Sequence, residues 1–114
     1  MEQQVLSNNY DIIANQVKKT LEEVSDLCMK KNKGYATDST DFFSAFNEGC
    51  ILTETFAEDY LLTLCTKHII SVFKLIEYDY PEMTFLETVR EKIRDIIAYM
   101  AILDVMVEER FKME

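Results

Sequence analysis

The stretch TFLETVREKIRDIIAYMAILDVMVEERF, residues 84–111, decides the fold class. Thr84 and Glu87 have the spacing of a capping box, in which each side chain satisfies a backbone amide at the start of a helix. Val89, Ile93, Ile97, Met100, Val107 and Phe111 then recur at steps of three, four or seven. Ala98, Ile102 and Val105 add apolar surface on another side, so the second half of this helix is apolar nearly all round. A helix of that kind sits at the centre of a bundle or is shared with another subunit.

Upstream segments repeat the pattern. Tyr10, Ile13, Val17, Leu21, Val24 and Cys28 form one stripe, which predicts a long helix from Asn9 to Lys31. Asn32-Lys33-Gly34 predicts its end, since glycine tolerates the left-handed region and lysine favours the negative end of the helix dipole. A polar connection follows to about Thr40. Asp41 to Glu48 predicts a short helix closed by Gly49, with Phe42, Phe43 and Phe46 turned inward. Thr53 is then a candidate N-cap for a second long helix carrying Phe56, Tyr60, Leu64, His68, Val72 and Leu75. Glu77-Tyr78-Asp79-Tyr80-Pro81 interrupts that helix, because proline lacks an amide donor and disfavours a helical residue before it. The expectation is one all-α domain over residues 1–114, an up-and-down helical bundle of three long helices plus one short helix, oligomeric.

Composition agrees with this reading and narrows the partners. Two glycines and one proline are too few for a many-turned β fold, and 48% apolar residues exclude wholesale disorder. Twenty-one acidic against twelve basic residues give a formal charge of −9, which opposes attraction to polymer nucleic acid or an anionic membrane. No segment reads as a secretory signal or a membrane span. Three cysteines in no close-spaced pattern fit a reducing cytoplasm, so a cytoplasmic protein is expected.

Chemistry concentrates on the last helix, where Glu87, Glu91 and Asp95 follow one another at steps of four. Each step advances the position by about 40° around the helix, so the line drifts from these carboxylates into Ala98 and Ile102. Oxygen ligands in such a row suit Mg2+ or Mn2+, which bridge carboxylates to phosphates. The same spacing also describes a solvated row paired with Arg90, Lys92 or Arg94. Glu22, Glu23 and Asp26 on the first helix form a second acidic group able to face the same site. Lys30, Lys31 and Lys33, beside Tyr35, can meet phosphate while the tyrosine stacks on a base, although lysines are ordinary at helix ends. His68 reads as a core histidine, Cys65 as a core residue, and Asp104 as a buried hydrogen-bonding group or a subunit contact. No nucleophilic triad, glycine-rich phosphate loop or histidine-rich zinc site is present.

Lys31-Asn32-Lys33-Gly34-Tyr35, Phe43 and Phe46, Lys67, and Glu87-x-x-x-Glu91-x-x-x-Asp95-Ile-Ile-Ala-Tyr99 together resemble the small, largely phage-encoded nucleotide-modification-associated domains, which look akin to all-α MazG-like nucleotide pyrophosphohydrolases. The chain departs from that pattern at Gly34 and Glu91, where aspartate is usual. The resemblance implies a nucleotide as partner, with Mg2+ (or Mn2+) held by Glu87, Glu91 and Asp95. It implies Glu91 and Asp95 as catalytic groups in attack of water on a phosphoanhydride, and Lys31, Lys33, Tyr35 and Lys67 as nucleotide-binding residues. Two alternatives remain open: a non-catalytic nucleotide-sequestering protein, and an acidic inhibitor that blocks a basic partner protein.

Overall fold

The computed structural model describes residues 6, 9–35, 43–78 and 83–113, with the side chains of 31–35, 78 and 83–85 set aside. These residues form four helices and no strand: α1 (Tyr10–Tyr35), α2 (Ser44–Thr53), α3 (Ala57–Tyr78) and α4 (Met83–Lys112). The all-helical expectation is met. None of the described helices is long and apolar enough to cross a membrane.

Local signals account for the start of α1 and the end of α2. Asn9 precedes the first helical residue, and its side-chain oxygen accepts from the Ile12 amide at 3.2 Å, an N-cap that contributes about 1 kcal/mol. The expected stop at Gly34 is not used, since α1 runs through it to Tyr35. A glycine within a helix weakens it without ending it. The side chains of Lys31, Lys33 and Tyr35, Phe42 as a whole, and the connection after Tyr35 lie outside the described residues.

The second and third helices are displaced from their expected bounds. α2 begins at Ser44 and continues through Gly49 to Thr53, and α3 begins only at Ala57. Gly49 is needed for a close approach: a Cβ at this position would overlap the ring of Tyr60 on α3. The stop comes at Glu54, whose φ of 53° is left-handed, with the Thr55 amide donating to the Cys50 carbonyl at 3.0 Å and the Glu54 amide to Ile51 at 3.3 Å. Thr53 therefore does not cap α3; its hydroxyl donates back to the Gly49 carbonyl at 2.9 Å. α4 begins at Met83, which places Thr84 inside its first turn, two residues past the N-cap position.

α4 packs against both α3 and α1, while α2 packs on α3. Glu58 meets Arg110, and His68 meets Asp95, so the pairs climb α3 as they descend α4 and the two helices run antiparallel. Val24, Cys28, Phe46, Ala57, Leu61, Ala98, Ile102 and Met106 make the main core, with Leu61 fully enclosed. Burying a leucine of this kind contributes roughly 1.5–3 kcal/mol. Cys65 is buried as expected.

The buried face of α4 is Val89, Asp95, Ala98, Ile102 and Met106. Ile93, Met100, Val107 and Phe111, expected on its main stripe, are exposed on this chain. Periodicity identified two apolar sides of the helix, and α3 with α1 covers the one that carries Ala98 and Ile102. Asp104 is exposed, so it is not a buried hydrogen-bonding group within the chain.

Candidate functional site: a cavity at the junction of the four helices

The inward drift of the carboxylate row has a direct structural result. Glu87 and Glu91 stand exposed, whereas Asp95, two turns below Glu87, is only 6% exposed. Asp95 Oδ2 lies 3.9 Å from His68 Nδ1 across the α3–α4 interface, an electrostatic contact longer than a hydrogen bond. The imidazole also lies against Tyr99, with ring centroids 5.6 Å apart and planes tilted by 40°. One turn of α4 thus supplies two of the three groups: Asp95 and Tyr99 share a face at a spacing of four.

This trio forms the polar wall of a cavity of about 580 Å³, a size suited to a small-molecule ligand. α2 contributes Phe46, Glu48 and Gly49, α3 contributes Tyr60 and Leu64, and α1 reaches it through Cys28. Ala98 and Ile102 complete the apolar floor from α4. Gly49 shapes this space as well as the packing, because it lets the Tyr60 ring approach α2 closely. Burial pushes the Cys28 thiol above its ordinary range, which makes it a poor nucleophile beside the cavity.

The sequence-derived candidates are distributed unevenly around this centre. Asp95 lines the cavity; Glu87, Glu91 and Lys67 are exposed and do not. On α1, Glu23 forms an ion pair with Arg94 of α4, while Glu22 and Asp26 are exposed, so the first-helix acids do not join Asp95. Nor does Arg94 neutralise the carboxylates of its own helix, as a solvated row would have it. Its Nε is buried without a hydrogen-bond partner.

A divalent ion is the cofactor that the resemblance implies, and the test is whether the side chains converge. Among the described residues no three His, Cys, Asp or Glu side chains come together as a metal cage. Glu87 and Glu91 point their line outward while Asp95 is enclosed, so a three-carboxylate centre does not fit this chain by itself. Lys31, Lys33 and Tyr35 belong to the last turns of α1, and their side chains lie outside the described residues.

No family model, curated protein or solved structure matches this chain. The site therefore stands on its own residues. Sequence reasoning placed His68 in the core and gave Gly49 and Tyr60 no part in a site. Tyr60, Leu64 and His68 do share a stripe at steps of four, and that stripe was the available signal.

Proposed function

We propose that this chain is a nucleotide-binding protein, with the heterocyclic base of its ligand seated in the cavity among α1, α2, α3 and α4. One observation carries the reading: an aromatic-walled space of about 580 Å³ closes on a buried Asp95 beside His68 and Tyr99. Apolar rings supply stacking area, and a few polar groups fix orientation, which is how small-molecule sites are built. The resemblance of the Lys31–Tyr35 and Glu87–Tyr99 segments to nucleotide-handling domains supports the same ligand class.

The reading is of binding without catalysis, since the acidic row is divided between solvent and interior. Phosphates would then lie outside the cavity, within reach of solvent and any metal ion that accompanies them. Thermal unfolding across a panel of nucleoside triphosphates and cyclic dinucleotides, with and without Mg2+ or Mn2+, tests this. Stabilisation without product formation is expected. Metal-dependent release of pyrophosphate would replace it with the hydrolase reading, and no response to any nucleotide would favour the protein-inhibitor role.

The assembly belongs to the same proposal: an up-and-down bundle that self-associates. Among the described residues, part of the exposed surface is apolar and patterned. Tyr10, Ile13, Val17 and Leu21 lie exposed on the continuation of the stripe whose Val24 and Cys28 are buried. A second copy is the partner that covers such a stripe in a homo-oligomer.

A further inference from the structure

We infer that the side of the α3–α4 layer turned away from the cavity is a second interface between copies of this chain, an antiparallel twofold pairing set in register by Arg90 and Asp104. It adds a face to the α1 contact proposed above and depends on no ligand. The cavity lies on one side of the layer, lined from α3 by Tyr60, Leu64 and His68 and from α4 by Asp95, Ala98 and Ile102. About 150° or more around the same helices run two apolar rows. Leu62, Ile69, Phe73 and Ile76 form the one on α3, and Leu86, Ile93, Met100 and Val107 the one on α4; each of these side chains is between 38% and 71% exposed. Two such rows on neighbouring helices make one continuous patch, of the kind that marks a protein contact. The α4 row recurs every seven residues, which is the repeat of a left-handed seam between helices.

The patch is self-complementary, which names a second copy as its occupant. Ile97 stands midway between Arg90 and Asp104, both exposed, and the pairs Leu86–Val107 and Ile93–Met100 are centred within one residue of it. On α3, Leu62 and Phe73 are centred beside His68, which faces Asp95 at nearly the same height. A twofold axis crossing the layer there lays α4 against α4 and α3 against α3, antiparallel. It sets Arg90 of each copy beside Asp104 of the other, and Leu62 opposite Phe73. Parallel pairing of the same row would stack Arg90 on Arg90 and Asp104 on Asp104, and like charges so placed repel. Charges within a seam fix its register but weaken it, because each gives up water. One such face alone is therefore weak. The α1 stripe of Tyr10, Ile13, Val17 and Leu21 carries no charge and pairs the chains first. A pair then presents two of the new faces at once, which raises their effective concentration. Two twofold contacts with perpendicular axes close as a tetramer.

Sedimentation equilibrium of the full chain over a concentration series tests the inference. The unaltered chain should reach four times its 13.4 kDa mass. Arg90→Asp or Asp104→Arg alone brings like charges together and should weaken the joining of pairs at least about tenfold, leaving two chains. The two substitutions combined should restore four chains, with a dissociation constant within about threefold of the unaltered value. Helical signal and melting transition check that each variant folds; should one single variant fail, the other and the double still decide. A mass indifferent to all three variants would overturn the inference and leave the α1 contact standing, and so would a double variant no better joined than the singles. An unaltered chain of two copies that either single variant splits, and the double rejoins, would keep this face and remove the α1 contact. A monomeric unaltered chain would overturn both.

Discussion

Glu58, in the first turn of α3, holds Arg110, near the end of α4, through two hydrogen bonds: Nε donates to Oε2 at 3.0 Å and Nη2 to Oε1 at 2.7 Å. The same guanidinium lies 5.6 Å from the centroid of the Phe56 ring. This fork joins the two helices at the end of the interface opposite Val89, beyond the cavity. The hydrogen bond from Arg110 holds the Glu58 carboxyl below its usual value of 4.5, against a smaller opposing effect of burial.

The sign of the pH dependence follows. A lowered folded pKa means that the pair's contribution is complete above the unfolded value near 4.5 and is lost as the pH falls through the lower folded value. Arg110 is partly exposed, so the contribution is about 1 kcal/mol or less. Urea unfolding at a series of pH values between 7 and 2 should show Glu58→Gln less stable than the unaltered chain at neutral pH. The two curves should converge in acid; parallel curves would show that the pair does not titrate with folding.

Gly49 and Tyr60 should behave as a coupled pair. Gly49→Ala alone is expected to destabilise by about 1–3 kcal/mol, because the new methyl group displaces the Tyr60 ring. With Tyr60→Ala already in place, the same change should become stabilising by up to about 1 kcal/mol, through helix propensity alone. A double-mutant cycle measured by denaturant unfolding reads the coupling, and additive effects would refute the close approach.

Glu54 is the described non-glycine residue with positive φ, at 53°. Glycine has no Cβ penalty there, so Glu54→Gly should raise stability by about 0.5–1 kcal/mol and shift the thermal midpoint upward by a few degrees. A fall in the midpoint would show that the Glu54 side chain contributes more than its backbone costs.

Leu61 is 0% exposed at the centre of the core. Leu61→Ala should cost about 2–5 kcal/mol in equilibrium unfolding, the range for a leucine whose cavity cannot collapse. A loss below about 1 kcal/mol would indicate a core that repacks freely.

Val17 and Leu21 are 52% and 53% exposed on the open part of the α1 stripe. Light scattering should find the unaltered chain at a multiple of its 13.4 kDa mass. Val17→Asp with Leu21→Lys should return it to a single chain without loss of helical signal. A monomeric unaltered chain would leave that stripe without the proposed partner.

The sequence by itself determined the helical class and the start of α1, because both depend on interactions within a few residues. The 3.6-residue period and the Asn9 cap are local, and the helix expected from Asn9 begins at Tyr10, one residue on, with Asn9 as its cap. The drift of Glu87–Glu91–Asp95 toward Ala98 was equally legible, since it follows from helix geometry alone. Tertiary structure decided which side of α4 is buried: the helix has two apolar sides, and α3 with α1 covers one of them. It also decided that Gly49 continues a helix under the Tyr60 ring, and that Glu23 pairs with Arg94. The meeting of Asp95 with His68 and Tyr99 has the same origin, since His68 and Asp95 lie on different helices and only packing brings them together.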